Sequence, residues 1–466
     1  MPDDVLMISV SGLRGTIGGS LAPAVAARFA AAAGTWFKRS RQTAGTQTSG
    51  GRVRLVLGRD SRPSGEMVER AVVAGLLSVG CDVELLGVAT TPGVAVMAQR
   101  LAADGGVMIT ASHNPIQWNG IKILRADGVA PPPDEAGRII EMFHHNDVDL
   151  ADVHSLGQLN RDDRCDRVHC DAVLPCVDVE LIRSAKLTAV VDSVHGAGGG
   201  SAKLLLEALG VERVAMYAEP TGWFPHPPEP TRANLSELCD KVKAAGADVG
   251  FAQDPDADRL AIVDDQGRYI GEEYTLALAT LHLLQAGDAV AANLSTSRMI
   301  DDIAQRVGGR VLRTPVGEAN VAKAMRDAGA RLGGEGNGGV ILPQVSQVRD
   351  SIAGMALTLE LIARRKQKLS AIVDAMPAYA IVKDKVPATD ELKSQLQPKL
   401  EAAFAGARID TQDGVRVDFD NRWVHVRPSN TEPIVRLIAE AADEPAAREL
   451  IAQAAAALGI KSKANA

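Results

Sequence analysis

Four short stretches of the chain gather polar and charged side chains that could act together. In TASHNP (110–115) a hydroxyl, Ser112, is followed by a titratable ring, His113. The stretch comes directly after the strand-like run GVMIT, and open α/β sheets bind ligands just outside the carboxyl ends of their strands. Alone it also reads as a Ser-Asn-Pro turn, and as a hydrolase nucleophile it lacks the GxSxG elbow. In DPDADR (254–259), Asp254, Asp256 and Asp258 recur at spacing two, which in extended chain projects three carboxylates to one side. Three hard oxygen donors suit Mg²⁺ shared with a phosphate oxygen. A calcium loop of the EF-hand type needs glycine and glutamate where this chain has Arg259 and Asp265. A solvated acidic turn is the other reading.

GGEGNGG (333–339) satisfies GxGxxG through Gly334, Gly336 and Gly339. A dinucleotide site would open a helix there, whereas VILPQV is strand-like and holds Pro343. A glycine-rich loop with Glu335 and Asn337 as hydrogen-bonding groups for hydroxyls fits better. In RPSNTEP (427–433), Arg427, Ser429, Asn430 and Thr431 offer one cationic fork and three neutral groups, suited to a phosphate dianion. An ordinary Pro-Ser-Asn turn is the plain alternative. No Walker loop GxxxxGK[ST] occurs, so a phosphoryl donor would be the protein itself or another phosphate ester.

These loops need elements to hold them. VRLVLGRD (53–60), CDVELLG (81–87) and GVMITAS (106–112) read as strands, with helical patterns over 64–80 and 91–105. That is a βαβαβ unit, hence a largely parallel sheet covered by helices. The pattern restarts at LTAVVDS (187–193) and continues to ADVGFAQD (247–254). A third round runs from RLAIVDD through AVAANLSTS and RVLRTPVG to ARLGGEG (330–336). The last stretch has one helix, short strands with turn signals and a closing helix, a smaller α+β domain. The expected fold is therefore α/β: three similar mixed α/β domains, 1–165, 166–265 and 266–375, and an α+β domain, 376–466. TAGTQTSGG (43–51) reads as an exposed loop.

At 466 residues the chain is too long for one core, and three or four domains are expected. Fifty basic against 58 acidic residues give a net charge of −8, and only 3% of residues are aromatic. A nucleic-acid binder would show a basic excess and stacking platforms, so no nucleic-acid partner is expected. Five cysteines without a CxxC pair point to a reduced cytoplasmic setting. Cys165, His169, Cys170 and Cys176 match no common zinc spacing. The opening MPDDVLMISV is acidic where a signal peptide is basic. Arg28 interrupts the alanine-rich run 24–33, and no membrane-spanning segment is expected.

Taken in order, the four loops resemble the α-D-phosphohexomutase family along essentially the whole chain. That family includes phosphoglucosamine mutase, phosphomannomutase and phosphoglucomutase. ISVSGLRGTIGG (8–19) is similar to its opening signature, with Arg14 in the place of the arginine that faces the reacting phosphate. The resemblance implies three similar α/β domains and a mobile fourth around one cleft. It implies a phosphoserine at Ser112, and Mg²⁺ on Asp254, Asp256, Asp258 and a Ser112 phosphate oxygen. Glu335 would read sugar hydroxyls, and the loop from Arg427 to Thr431 would grip the phosphate that is not reacting. Lys122, in NGIK, matches a lysine near the reacting oxygen, and His113 and Arg259 would flank the phosphoserine.

The implied reaction interconverts a hexose 6-phosphate and 1-phosphate, with hexose 1,6-bisphosphate as intermediate and activator. Lys122 and His113 are the candidates for the base, the lysine if burial lowers its pKa. The form GEGNGG replaces Glu-x-Ser-Gly-His of the common bacterial mutases and looks like the archaeal-type branch, associated chiefly with phosphoglucosamine mutase. Pro315, in RTPVGE, stands where many relatives carry a lysine. Glucosamine 6-phosphate to glucosamine 1-phosphate is therefore the first reading, with mannose or glucose phosphate as alternatives. A non-catalytic sugar-phosphate sensor would have no need of Ser112, and a serine phosphatase would release inorganic phosphate.

Overall fold

The computed structural model of the chain describes residues 5–43, 51–429 and 434–460. Most of the expected loop 43–51 lies outside them. Contacts divide the chain into two units, Met1–Ala279 with Gly338–Ser370, and Thr280–Asn337 with Ala371–Ala466.

The first unit opens with a seven-stranded sheet. Its order is Met7–Ser9, Gly12–Thr16, Trp118–Arg125, Gly105–Ile109, Arg54–Arg59, Asp82–Val88 and Leu159–Arg161. The expected βαβαβ unit is its core: Arg54–Arg59 lies parallel to both Asp82–Val88 and Gly105–Ile109, with crossover helices Gly65–Ser78 and Thr91–Arg100. Leu55, Val56 and Leu57 are all buried, as a strand covered on both faces requires. Half of the sheet is antiparallel, however. Trp118–Arg125 runs against Gly105–Ile109, and Gly12–Thr16 runs against Trp118–Arg125. Gly12 makes that second pairing possible. It sits at φ +103°, and a Cβ there would lie 2.0 Å from the Ile121 carbonyl oxygen.

The second sheet of this unit has the order Leu260–Asp264, Val249–Gln253, Thr188–Asp192 and Glu212–Met216. This corrects the sequence reading, which began a third round at RLAIVDD. Val249–Gln253 and Leu260–Asp264 are buried throughout and separated only by DPDADR, so they pair with each other, antiparallel. The aspartate stretch thereby becomes a hairpin loop.

Helix Ser351–Arg365 starts at Asp350, whose carboxylate accepts from the amides of Ile352 and Ala353. The other oxygen of Asp350 lies 2.8 Å from His169 Nε2, with both side chains buried. Burial disfavours the imidazolium, but the charge of Asp350 and its hydrogen bond outweigh that and raise the His169 pKa. His169 thus joins two helices, and Cys170 Sγ donates to the Ser201 carbonyl. Among the described residues the only His, Cys, Asp or Glu group close enough to share a metal is the aspartate trio.

In the second unit, Ala289–Asn293 runs parallel to Arg310–Thr314 and Leu332–Glu335. The C-terminal part is an antiparallel five-stranded sheet: Ala380–Pro387, Ile434–Ala441, Trp423–Pro428, Val415–Asp418 and Arg408–Asp410. Val415, Val417, Val424, Val426, Val435 and Leu437 form a single core with helices Asp390–Ala403 and Glu444–Leu458. The period-two alternation of these strands fixes their register, because a slip of one residue would turn the apolar set to water. Trp423 Nε1 and the Arg298 amide both donate to Glu440, which ties this sheet to the helix start at Arg298. No helix among the described residues is long and apolar enough to cross a membrane.

The Asp350–His169 pair gives a test of the first unit. Asp350→Ala removes a cap and strands a buried imidazole, which should cost roughly 3 kcal/mol or more. Equilibrium urea unfolding measures it, and a loss below about 1 kcal/mol would rank the pair with surface ion pairs.

Candidate active site

Ser112 follows the central strand Gly105–Ile109 by three residues and is buried. Its φ is +49°, a left-handed conformation that costs a non-glycine residue about 1–2 kcal/mol and persists only where neighbours impose it. They do so from both sides. The Ser112 amide donates to Thr110 Oγ1 at 2.8 Å, and that hydroxyl donates to Asp60 Oδ2 at 2.7 Å. The Ser112 carbonyl accepts from Arg62 Nη2 at 2.6 Å. The hydroxyl so placed donates to Asp254 Oδ2 at 2.9 Å and lies 3.3 Å from His113 Nδ1.

The three aspartates converge, but not as an extended chain would bring them. Residues 254–259 form a turn between antiparallel strands. Ala257 sits at φ +55°, and its amide donates to the Asp254 carbonyl. Folding back on itself gives the loop a tighter cluster than alternation along a strand could. Ligand oxygens of Asp254, Asp256 and Asp258 lie within 4.8 Å of one another, and all three residues are buried. Lys122 Nζ bridges Asp256 at 2.7 Å and Asp258 at 3.5 Å. Thr91 Oγ1 donates to Asp256 at 2.6 Å, and Arg349 Nη2 donates to Asp258 at 2.6 Å. The second oxygens of Asp256 and Asp258 are buried with no hydrogen-bond partner. Buried carboxylate oxygens rarely go unpartnered, and three hard donors with two open oxygens fit a divalent cation.

The electrostatics follow from this crowding. Burial, together with the charges of Asp256 and Asp258, pushes the Asp254 pKa well up. Burial would also raise Asp256, but the charge and hydrogen bond of Lys122 and the Thr91 hydroxyl hold it low. Burial alone would lower Lys122, as the sequence reading supposed. Asp256 and Asp258 reverse the sign, and the lysine pKa is raised. His113 is pushed down to about 2 by burial and by the cations Arg259 and Arg14, so its ring is neutral. Arg14 Nη1 donates to Asn114 Oδ1 at 3.1 Å, and Arg259 Nε lies 3.8 Å from Asp258.

The sugar-loop and phosphate-loop residues belong to the second unit. Glu335 ends its strand and accepts from Asn293 Nδ2 at 2.8 Å and from the Gly317 amide at 3.1 Å. Asn337 Nδ2 is 3.5 Å from the other Glu335 oxygen, and the Gly336 amide donates to Thr296 Oγ1. Arg427 lies not in a turn but within the strand Trp423–Pro428, opposite Arg436. The apolar alternation of WVHVRP carries the strand through it. Arg427 Nε donates to Asp413 Oδ2 at 2.9 Å, and the same oxygen accepts from the Val316 amide at 3.0 Å. Asp413 therefore links Arg427 to the 316–317 backbone that also holds Glu335. The Ser429 amide donates to the Ile434 carbonyl. Asn430 and Thr431 lie outside the described residues.

Residues 7–149, 167–267 and 271–379 match the phosphoglucomutase/phosphomannomutase α/β/α domains I, II and III, and residues 379–457 match the C-terminal domain. A "Phosphoglucomutase/phosphomannomutase" of Thermococcus kodakarensis is 39% identical over 454 residues, 97% of this chain and 96% of its own. A "Probable phosphoglucosamine mutase" of Methanopyrus kandleri is 37% identical over 94% of this chain and 95% of its own. The crystal structure of a phosphoglucomutase/phosphomannomutase family protein from Burkholderia thailandensis superposes with a TM-score of 0.83 at 27% identity, covering 98% of this chain and all of that one. The chain belongs to the phosphoglucomutase/phosphomannomutase family. It is a phosphohexomutase, an isomerase built from three α/β/α domains and a C-terminal domain.

Several residues that shape these two clusters escaped the sequence reading: Asp60, Arg62, Thr91 and Arg349 in the first unit, and Asp413 in the second. A signal existed for the first three. GRDSRPSG (58–65) and TTPG (90–93) follow the strands Arg54–Arg59 and Asp82–Val88, the same carboxyl-end position that drew attention to TASHNP. Arg349 and Asp413 sit in no motif and are recognisable only through their partners.

Thr91 orients a carboxylate that faces the open oxygens. Groups that orient a metal ligand typically change affinity by about 10–100-fold. Thr91→Val should lower the affinity for a divalent cation by that factor in calorimetric titration, while Thr91→Ser keeps it. Equal affinities in both variants would remove Thr91 from the site.

Proposed function

We propose that this phosphohexomutase interconverts glucosamine 6-phosphate and glucosamine 1-phosphate through a phosphoserine at Ser112 and a hexose 1,6-bisphosphate intermediate. The observation that carries the reading is the setting of the Ser112 hydroxyl. It is buried at a strand end, hydrogen-bonded to a carboxylate and accompanied by Arg14, Lys122 and Arg259. A phosphoryl group of charge about −1.5 to −2 would meet fixed cations there, and phosphoryl transfer is catalysed mainly by positioning and charge neutralisation.

In the first half-reaction a sugar hydroxyl oxygen bonds to phosphorus as the bond from phosphorus to Ser112 Oγ breaks. The hydroxyl proton passes to a base, and the product is the bisphosphate. In the second half-reaction Ser112 Oγ takes the phosphoryl group from the other end of the sugar. The proton is assigned to Lys122 or His113: the His113 ring is neutral, whereas Asp256 and Asp258 favour the charged form of Lys122. Asp254, Asp256, Asp258 and a phosphoserine oxygen would hold Mg²⁺, which supplies charge neutralisation at the transferring group. Glu335 and Asn337 read sugar hydroxyls, Glu335 being fixed by Asn293 and the Gly317 amide. Arg427, oriented by Asp413, grips the phosphate that is not reacting, with Ser429, Asn430 and Thr431 as its polar companions.

The preference for glucosamine is supported by the form GEGNGG and by the name of the Methanopyrus relative. The Thermococcus relative supports mannose or glucose phosphate as the second reading. Domain limits near 165, 265 and 375, a cytoplasmic setting and activation by hexose bisphosphate belong to the same proposal.

Turnover on glucosamine, mannose and glucose phosphates, each with a catalytic amount of hexose 1,6-bisphosphate, tests the substrate. A faster rate on mannose or glucose phosphate overturns the glucosamine reading. Ser112→Ala should lose nearly all activity, and intact-mass analysis should find one phosphoryl group on wild-type Ser112. Losing a charge-assisted contact of about 1.5–3 kcal/mol, Arg427→Ala should raise KM roughly 10–100-fold in both directions. An unchanged KM with a lowered melting temperature would make Arg427 a strand residue only.

A further inference from the structure

Arg62 is a fully buried arginine, with no side-chain exposure. It touches neither Ser112 Oγ nor the aspartate trio, so the mechanism above gives it no task. Yet all five of its N–H donors are used. Nε donates to Asp60 Oδ2 at 3.0 Å. Nη1 donates to the carbonyls of Pro115 (2.7 Å) and Trp118 (3.0 Å). Nη2 donates to the carbonyls of Ser112 (2.6 Å) and Asn114 (2.7 Å). Four of the five bonds therefore end on the backbone of one segment, 112–118, the loop that begins with the proposed nucleophile.

The geometry points to Arg62 as the positioning residue for phosphoryl transfer, its planar fork setting the backbone that aims Ser112 Oγ at Asp254. The inference rests on the reading of Ser112 as the phosphoryl carrier. Asp60 completes the grip. It takes the Arg62 amide and Nε and, through Thr110 Oγ1, reaches the Ser112 amide. One buried ion pair thus holds both the N–H and the C=O of a serine in a left-handed conformation. Lysine cannot replace this, because an ammonium has three donors and no planar fork.

The surroundings keep the fork dry. The Phe224 ring lies 5.1 Å from the guanidinium carbon. Its neighbour Gly222, at φ +70°, passes so close to Ser61 that a Cβ would stand 2.0 Å from the Ser61 carbonyl oxygen. In such a site the charge is weakly screened; at Arg14, whose pKa burial lowers first, Arg259 and then Arg62 add to that lowering against Asp256 and Asp258. Arg62 therefore also adds a fixed positive charge behind a phosphorylated Ser112.

The test compares wild type, Arg62→Lys, Arg62→Ala and Thr110→Val, using whichever of the three hexose phosphates wild type turns over fastest. Misplacing a reacting group by about 1 Å costs on the order of a hundredfold in rate. Arg62→Lys should lose about that factor in kcat, with KM within about twofold. Loading of Ser112 by glucose 1,6-bisphosphate, followed by peptide mass mapping, should slow by the same factor. Millimolar guanidinium should restore part of the Arg62→Ala rate, and ammonium should not. Thr110→Val breaks the amide side of the grip without stranding a charge, and it should show the same kcat loss should the arginine variants fail to fold. Variants that load Ser112 as fast as wild type, or whose losses lie wholly in KM or melting temperature, overturn the inference. A wild type that takes no phosphoryl group on Ser112 overturns the phosphoserine reading beneath it.

Discussion

The strand-end edge that carries Ser112 and the aspartate trio depends on a balance of buried charge. Asp60, Asp254, Asp256 and Asp258 are buried within one small region, facing Arg14, Arg62, Lys122, Arg259 and Arg349. In low dielectric, removing one member of such a set leaves an uncompensated charge, which costs far more than a surface ion pair is worth. The cluster is therefore specified as a whole. A phosphoryl dianion and a divalent cation can enter it together without changing its net charge, whereas either alone would disturb the balance.

A single structural device delivers these groups. Asp60 follows the strand Arg54–Arg59, Thr91 follows Asp82–Val88, Ser112 follows Gly105–Ile109, and Asp254 follows Val249–Gln253. In the second unit Asn293 and Glu335 end their strands, and the 316–317 backbone follows a third. Parallel strands share a carboxyl edge, so loops distant in sequence meet there. The antiparallel strand Trp118–Arg125 adds what that arrangement cannot, a side chain arriving from the opposite direction. This is how Lys122 comes to bridge Asp256 and Asp258.

The sequence made legible whatever is expressed by side-chain type and period. Buried parallel strands showed as β-branched runs, and the carboxylate trio and the Ser-His pair showed as motifs. It concealed whatever is expressed by backbone. The turn in DPDADR depends on Ala257 in a left-handed conformation, with no glycine to mark it. Arg62 acts through four carbonyl oxygens, which every residue carries, so no pattern of side chains announces it. RPSN has the composition of a turn, yet the strand that carries Arg427 continues to Pro428. The charge state of Lys122, which the sequence leaves conditional on burial, is hidden for a related reason. Burial is readable from sequence, but two carboxylates converging on the same nitrogen are not, and their attraction exceeds the desolvation.

A mutase also imposes a constraint that most transferases escape. On the proposed mechanism its two half-reactions exchange phosphoryl groups between one serine and two oxygens of one sugar, so a site adjusted to one direction serves the other only if its electrostatics are unchanged between them. Rigid placement of Ser112, with its amide and carbonyl both held, meets that demand. The alternation must then be carried by the sugar, which presents each end in turn. Groups that hold the sugar should accordingly be ones that accept two orientations. In the proposed assignment a carboxylate steadied by backbone and amide donors, Glu335, and a guanidinium steered by one carboxylate, Arg427, would have that character. Fixed chemistry at the serine and orientation-tolerant contacts to the ligand are two halves of the same requirement.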